Sequence, residues 1–79
     1  MFRKISLFIA HYDQTAIYFA APSNILEVQI HNTQGQLLVQ QTNIQTMDYR
    51  MNAGALAKGI YFLNIRTEQG WVSKKYVKQ

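Results

Sequence analysis

Apolar residues in this chain come in short runs of five or six, cut by polar or glycine-containing turns every eight to twelve residues. No stretch keeps the 3.6-residue repeat of an amphipathic helix. Leu26, Val28 and Ile30 alternate with Glu27, Gln29 and His31, and Met47, Tyr49 and Met51 alternate with Asp48 and Arg50. Such period-2 patterns put one set of side chains on a buried face and the other in water. Ile5–Ala10, interrupted only by Ser6, is consistent with a strand buried on both faces; Ala16–Ala20 is a second apolar run, and Ile60–Ile65, interrupted only by Asn64, is the most apolar and reads as a central strand. With Gln36–Gln41 and Trp71–Val77 they make about seven short strands in 79 residues, a length that holds one domain. The expected fold is all-β, a single immunoglobulin-like antiparallel β-sandwich over residues 1–79.

The turns are read from their chemistry. Pro22 lacks an N–H for a ladder and belongs at a strand end. Asn32-Thr33-Gln34-Gly35 links two apolar runs as a hairpin, with Gly35 supplying the positive φ. Residues 52–59 hold two glycines, enough helix-friendly sequence for a single turn capped by Gly59, with Leu56 plugging the core. The start, Met1-Phe2-Arg3-Lys4 before a six-residue apolar run, imitates a leader peptide. The run is shorter than the usual 7–15, no small-residue cleavage site follows, and it reads as a first strand.

Composition narrows the function classes. At 48% apolar and 15% charged, the chain is too hydrophobic and too weakly charged for intrinsic disorder. Seventeen Ile, Val and Thr residues and ten aromatics favour strands. With no cysteine, disulfides and thiolate metal sites are excluded. No segment approaches the length of a membrane-spanning helix, so no membrane insertion is expected. Eight Lys and Arg against four Asp and Glu give a net charge of +4. Those cations form no run of five or six, and a nucleic-acid partner is not expected.

Catalytic chemistry finds little support. His11 and Asp13 are the only close imidazole–carboxylate pair, and with His31 as the only other imidazole they fall short of a structural metal site. The four carboxylates stand apart, and Ser6, Ser23 and Ser73 lack a strained, glycine-flanked elbow. Neither enzyme activity nor a cofactor is expected. Lys58-Gly59-Ile60-Tyr61-Phe62 half matches an RNA-recognition strand, but the two helices such a domain needs are missing.

Three segments carry a more specific likeness: Val28–Leu38 with its Gly35-Gln36-Leu37 centre, Leu56–Ile65 with Leu-x-x-Gly-x-Tyr spacing, and the basic Val72–Gln79. In order and spacing they resemble the type A C-terminal sorting domain of the type IX secretion system (Por secretion system) of Bacteroidetes. The resemblance is strongest over residues 25–79; the Pro-Asn-Pro box with which the family usually opens is not found, the only proline being Pro22.

The resemblance implies a non-catalytic sorting signal that directs a cargo protein across the outer membrane, from the periplasm to the cell surface or extracellular medium. Its implied partners are the outer-membrane translocon, a sortase-like signal peptidase and an N-terminal cargo module. The residues implied in recognition are Gly35, Gln36, Leu37, Leu56, Gly59, Tyr61, Lys74, Lys75, Val77 and Lys78. Of these, the two glycines suit turns, Leu37, Leu56 and Tyr61 suit the core, and the three lysines are expected to be exposed docking cations. The alternative is a generic immunoglobulin-like binding or adhesion module, contacting carbohydrate or protein through an exposed aromatic such as Trp71.

Overall fold

The computed structural model describes residues 8–12 and 15–79. Within them lie six antiparallel strands: β1 (Phe8–Tyr12), β2 (Ala16–His31), β3 (Leu37–Gln41), β4 (Thr46–Asn52), β5 (Gly59–Thr67) and β6 (Gly70–Lys78). Residues 5–7 of the expected first strand, together with Arg3, Lys4 and the Asp13 member of the His11–Asp13 pair, lie outside the described residues.

All six strands belong to one hydrogen-bonded sheet organised around β2, which is sixteen residues long. Its first half pairs with β1 and β4, and its second half pairs with β3 and β5. β6 extends β5 and ends the path. The fold is therefore all-β, as expected, but the described strands number six instead of seven and a shared strand links them into one sheet. The reason lies at Pro22. The register against β4 shifts between Ala20 and Ile25, where β2 passes from one set of partners to the other. A proline there forfeits no ladder bond, so the strand bends through it instead of stopping.

Both halves of β2 feed one apolar cluster: Ile17 and Phe19 from the first, Ile25, Val28 and Ile30 from the second. Met51 from β4, Tyr61, Leu63 and Ile65 from β5, and Tyr76 from β6 complete it. Phe19 and Tyr49 stack with ring centroids 6.3 Å apart, and Tyr61 meets Tyr76 across β5 and β6 at 6.1 Å. Such cross-strand aromatic pairs pin register as well as burying area. Ile44 supplies an unexpected plug from the β3–β4 connection: its amide donates to the Leu26 carbonyl, and Asn43 before it takes φ of 59°.

Residues 53–58 form no helical turn. They make a tight turn closed by the Leu56 amide on the Ala53 carbonyl at 3.1 Å, and Leu56 packs half-buried against the core. Gly59 caps nothing; it opens β5 with φ of 153°, a backbone setting that disfavours any residue with a Cβ.

Candidate functional site

Period-2 alternation gives the β3–β2–β5–β6 part of the sheet an inner and an outer face. On β5, Tyr61, Leu63 and Ile65 turn inward, while Ile60, Phe62, Asn64 and Arg66 turn outward. Directly opposed residues of antiparallel strands share a face. The pairs Ile60–Val77, Phe62–Lys75, Asn64–Ser73 and Arg66–Trp71 therefore place Val77, Lys75, Ser73 and Trp71 outward as well. Opposite Phe62 on the other side lies His31, and opposite His31 lies Leu37. One outer row thus reads Leu37, His31, Phe62, Lys75, with Ile60 and Val77 beside it.

The middle of this face is a polar network. Glu27 is largely buried, although it points outward, because Gln29 and Gln40 donate to its Oε2 at 2.8 Å each and Arg66 donates to Oε1 at 3.4 Å. The hydrogen bonds from Gln40 and Gln29, followed by the Arg66 guanidinium, hold its carboxyl below the usual glutamate range, with desolvation pulling the other way. Next to it, Ser73 donates to Asn64 Oδ1 at 2.7 Å, and the Asn64 amide meets His31 Nδ1 at 3.2 Å.

At the end of the sheet beyond that network the face turns apolar. Leu37 is 48% exposed, Ile60 42%, Phe62 41% and Val77 39%, far more than core residues on neighbouring positions. Leu37 was expected in the core. A bulge where β3 meets the end of β2 puts it opposite the outward His31 instead. The run Ile60–Ile65 reads as a central strand, and β5 does lie between β2 and β6, but only one of its faces is covered, which leaves Ile60 and Phe62 exposed. The run is apolar but for Asn64 and carries no polar alternation that would mark its exposed face.

Of the remaining residues singled out from sequence, Gly35 and Gln36 build the hairpin. Gly35 has φ of 83°, as expected, and its amide donates to the Asn32 carbonyl at 3.1 Å. Asn32 Oδ1 accepts from the Gln34 and Gln36 amides, and the Asn32 side-chain amide donates to Gln36 Oε1 at 2.8 Å, so Gln36 is tied into the turn. Tyr61 is buried, and its hydroxyl donates to the Ala57 carbonyl at 2.5 Å.

The three lysines of β6 part company. Lys74 and Lys75 are exposed on opposite faces of the strand. Lys78 is half-buried, and its Nζ donates to the Ala53 and Leu56 carbonyls at 2.7 Å and to the Gly54 carbonyl at 3.4 Å. An ammonium has three protons, and here each finds a carbonyl. Lys78 is thus a clamp on the β4–β5 loop, not a free docking cation. With Tyr61 on Ala57, side chains from β5 and β6 capture four carbonyls of one loop, so the second and third sequence motifs form one physical unit. Sequence pattern held no sign of this, because the contacts span 22–25 residues and end on backbone.

Among the described residues, no three His, Cys, Asp or Glu side chains are grouped to hold a metal ion. A depression of about 260 Å³ is lined by Tyr18, Phe19, Ala20, Asp48, Tyr49 and Arg50. There Arg50 lies over the Tyr18 ring at 5.8 Å.

Compared with known families, residues 11–79 match the secretion system C-terminal sorting domain. The match reaches back to His11, well ahead of the three motifs. No curated protein matches the chain.

Proposed function

Since the chain belongs to the family of C-terminal sorting domains of type IX secretion, we propose that it acts as a folded address that takes an attached cargo from the periplasm across the outer membrane. Membership carries with it dealings with the type IX machinery and export toward the cell surface or extracellular space. The finer steps are part of the proposal: recognition by the outer-membrane translocon, then cleavage from the cargo by a sortase-like signal peptidase, with no catalysis by the domain itself. The observation that carries this reading is the family match over residues 11–79. It is supported by the way Tyr61 and Lys78, from two different motifs, converge on the β4–β5 loop.

The recognition residues divide by position. Leu37, Lys74, Lys75 and Val77 are offered to a partner, whereas Gly35, Gln36, Leu56, Gly59, Tyr61 and Lys78 hold the shape that offers them. A reporter fused ahead of this chain tests the reading in a bacterium with a type IX system. The reporter is expected outside the cell, and in the periplasm once the translocon is inactivated. Equal release with and without the translocon would overturn the proposal.

A second reading rests on Trp71, which is 52% exposed opposite Arg66 and free to stack on a sugar ring. It predicts glycan binding that Trp71→Ala abolishes while export continues; no binding across a glycan array removes it.

A further inference from the structure

The apolar end of the outer face is unexplained by folding. Ile60, Phe62 and Val77 point away from the core, and Leu37 shares their face across His31. Directly opposed side chains on neighbouring strands have Cβ atoms roughly 4.5–5.5 Å apart, so Ile60 with Val77 and Phe62 with Lys75 form a contiguous quartet. Scattered exposed hydrophobics need no explanation, but a contiguous exposed group marks an interaction surface.

Charge decides what kind of partner fits. Lys75 stands inside the quartet, and exposed Lys58 immediately precedes β5 at the same end. Among the described residues, the carboxylates are Glu27, Asp48 and Glu68. Glu27 is engaged by Arg66, Gln29 and Gln40, Asp48 lies on β4, and Glu68 sits in the turn at the far end of β5. The apolar trio of Ile60, Phe62 and Val77 is therefore flanked by Lys75 and Lys58, with none of these side-chain carboxylates placed beside them.

Resting on the sorting reading above, we propose that Ile60, Phe62, Val77 and Lys75 form the docking surface for a component of the export machinery that presents an apolar centre flanked by carboxylates. A second copy of this chain fits poorly, because a two-fold contact sets Lys75 and Lys58 of one copy against the same residues of the other. An anionic membrane fits poorly for a different reason. Among the described residues no strand covers the far side of β6, so its backbone N–H and C=O groups border the surface. A protein partner can satisfy such groups, whereas lipid hydrocarbon cannot. The quartet draws on the second and third sequence motifs, and Leu37 at its margin belongs to the first.

The test uses the whole chain fused behind a reporter. Threonine keeps strand propensity while removing apolar surface, so the variant Ile60→Thr/Phe62→Thr/Val77→Thr should melt within a few degrees of the parent. Its export should fall about tenfold or more, the loss expected when the centre of an interface is removed. Lys75→Glu should lower export too. Met47→Thr, which removes an exposed apolar side chain from β4 outside the surface, should leave export unchanged. Parental export by a folded triple-Thr variant would overturn the surface while leaving the sorting function intact; a parent fusion that is not exported would instead sink the function. Two further results would reassign the surface. One is a sedimentation-detected dimer of the parent chain that the triple-Thr variant loses. The other is binding of the parent to phosphatidylglycerol vesicles at physiological salt, likewise lost in the variant.

Discussion

Replacing Lys78 by methionine isolates the clamp from the docking cations. Methionine keeps most of the aliphatic stem, so little packing is lost, while the ammonium and its three hydrogen bonds disappear. The bonds to Ala53 and Leu56, both 2.7 Å and partly buried, carry the effect; the 3.4 Å contact to Gly54 lies on the exposed side and adds little. A hydrogen bond to a charged group contributes about 1.5–3 kcal/mol, which for two bonds gives roughly 3–6 kcal/mol by simple addition. The freed carbonyls are near enough to the surface to regain water, which brings the expected loss to about 2–3 kcal/mol. For a domain of this size, each kcal/mol shifts the melting temperature by roughly 4–8 °C, so a drop of about 10–20 °C should be seen by circular dichroism.

Loss should also be local before it is global. The Ala53 and Leu56 amides, bonded to the Thr15 and Ala53 carbonyls, should exchange with solvent faster in Lys78→Met than their counterparts in β2. Lys74→Met is the control: Lys74 is exposed, and its loss should cost no more than about 0.5 kcal/mol. If Lys78→Met proves as stable as Lys74→Met and protects Ala53 and Leu56 normally, the clamp is not a stabilising feature and the division of the lysines fails.

The Glu27 carboxyl, held below its usual range by its hydrogen bonds and Arg66, contributes stability that is present above that range and lost as pH falls through its folded-state value. Urea midpoints taken between about pH 5 and pH 3 should therefore fall more steeply for the parent than for Glu27→Gln; parallel curves would refute the assignment. Gly59→Ala should cost about 1–2 kcal/mol from backbone strain alone, since an added Cβ meets no atom within 4 Å and only φ of 153° opposes it. A neutral result in a denaturant titration would show that β5 can start with ordinary backbone. Deleting residues 74–79 should unfold the chain rather than silence an address, because it removes Tyr76, 1% exposed in the core, along with Lys78. A truncated chain that keeps its β-sheet circular dichroism would contradict this. Lys74→Ala/Lys75→Ala, in contrast, should melt like the parent and export less, as read by fractionation.

Much of the fold is legible in local pattern. Met47, Tyr49 and Met51 grade from exposed to buried along β4, and Val28 and Ile30 turn inward as their alternation requires. What escaped was set by partners, not by sequence-local preference. Pro22 reads as a terminator because it lacks an N–H, yet β2 runs through it where the partners change. Ile60–Ile65 reads as a central strand, and nothing in the run says that only one face is covered. The three motifs were visible as short boxes; that Leu37, Ile60, Phe62 and Val77 share one face depends on the β2–β3 bulge and the β5–β6 register. Lys78 was misassigned because a lysine near a chain end looks solvated until the loop carbonyls it reaches are placed in space.

The most direct measurement is the fraction of a reporter, brought to the periplasm by its own leader and joined ahead of this chain, that protease added outside intact type IX-competent cells can digest. Export by this domain predicts that most of the reporter is digested or already in the medium, and that deleting residues 11–79 returns it to the protected periplasmic pool. A reporter that stays protected while the fused domain is folded and intact would contradict the sorting function.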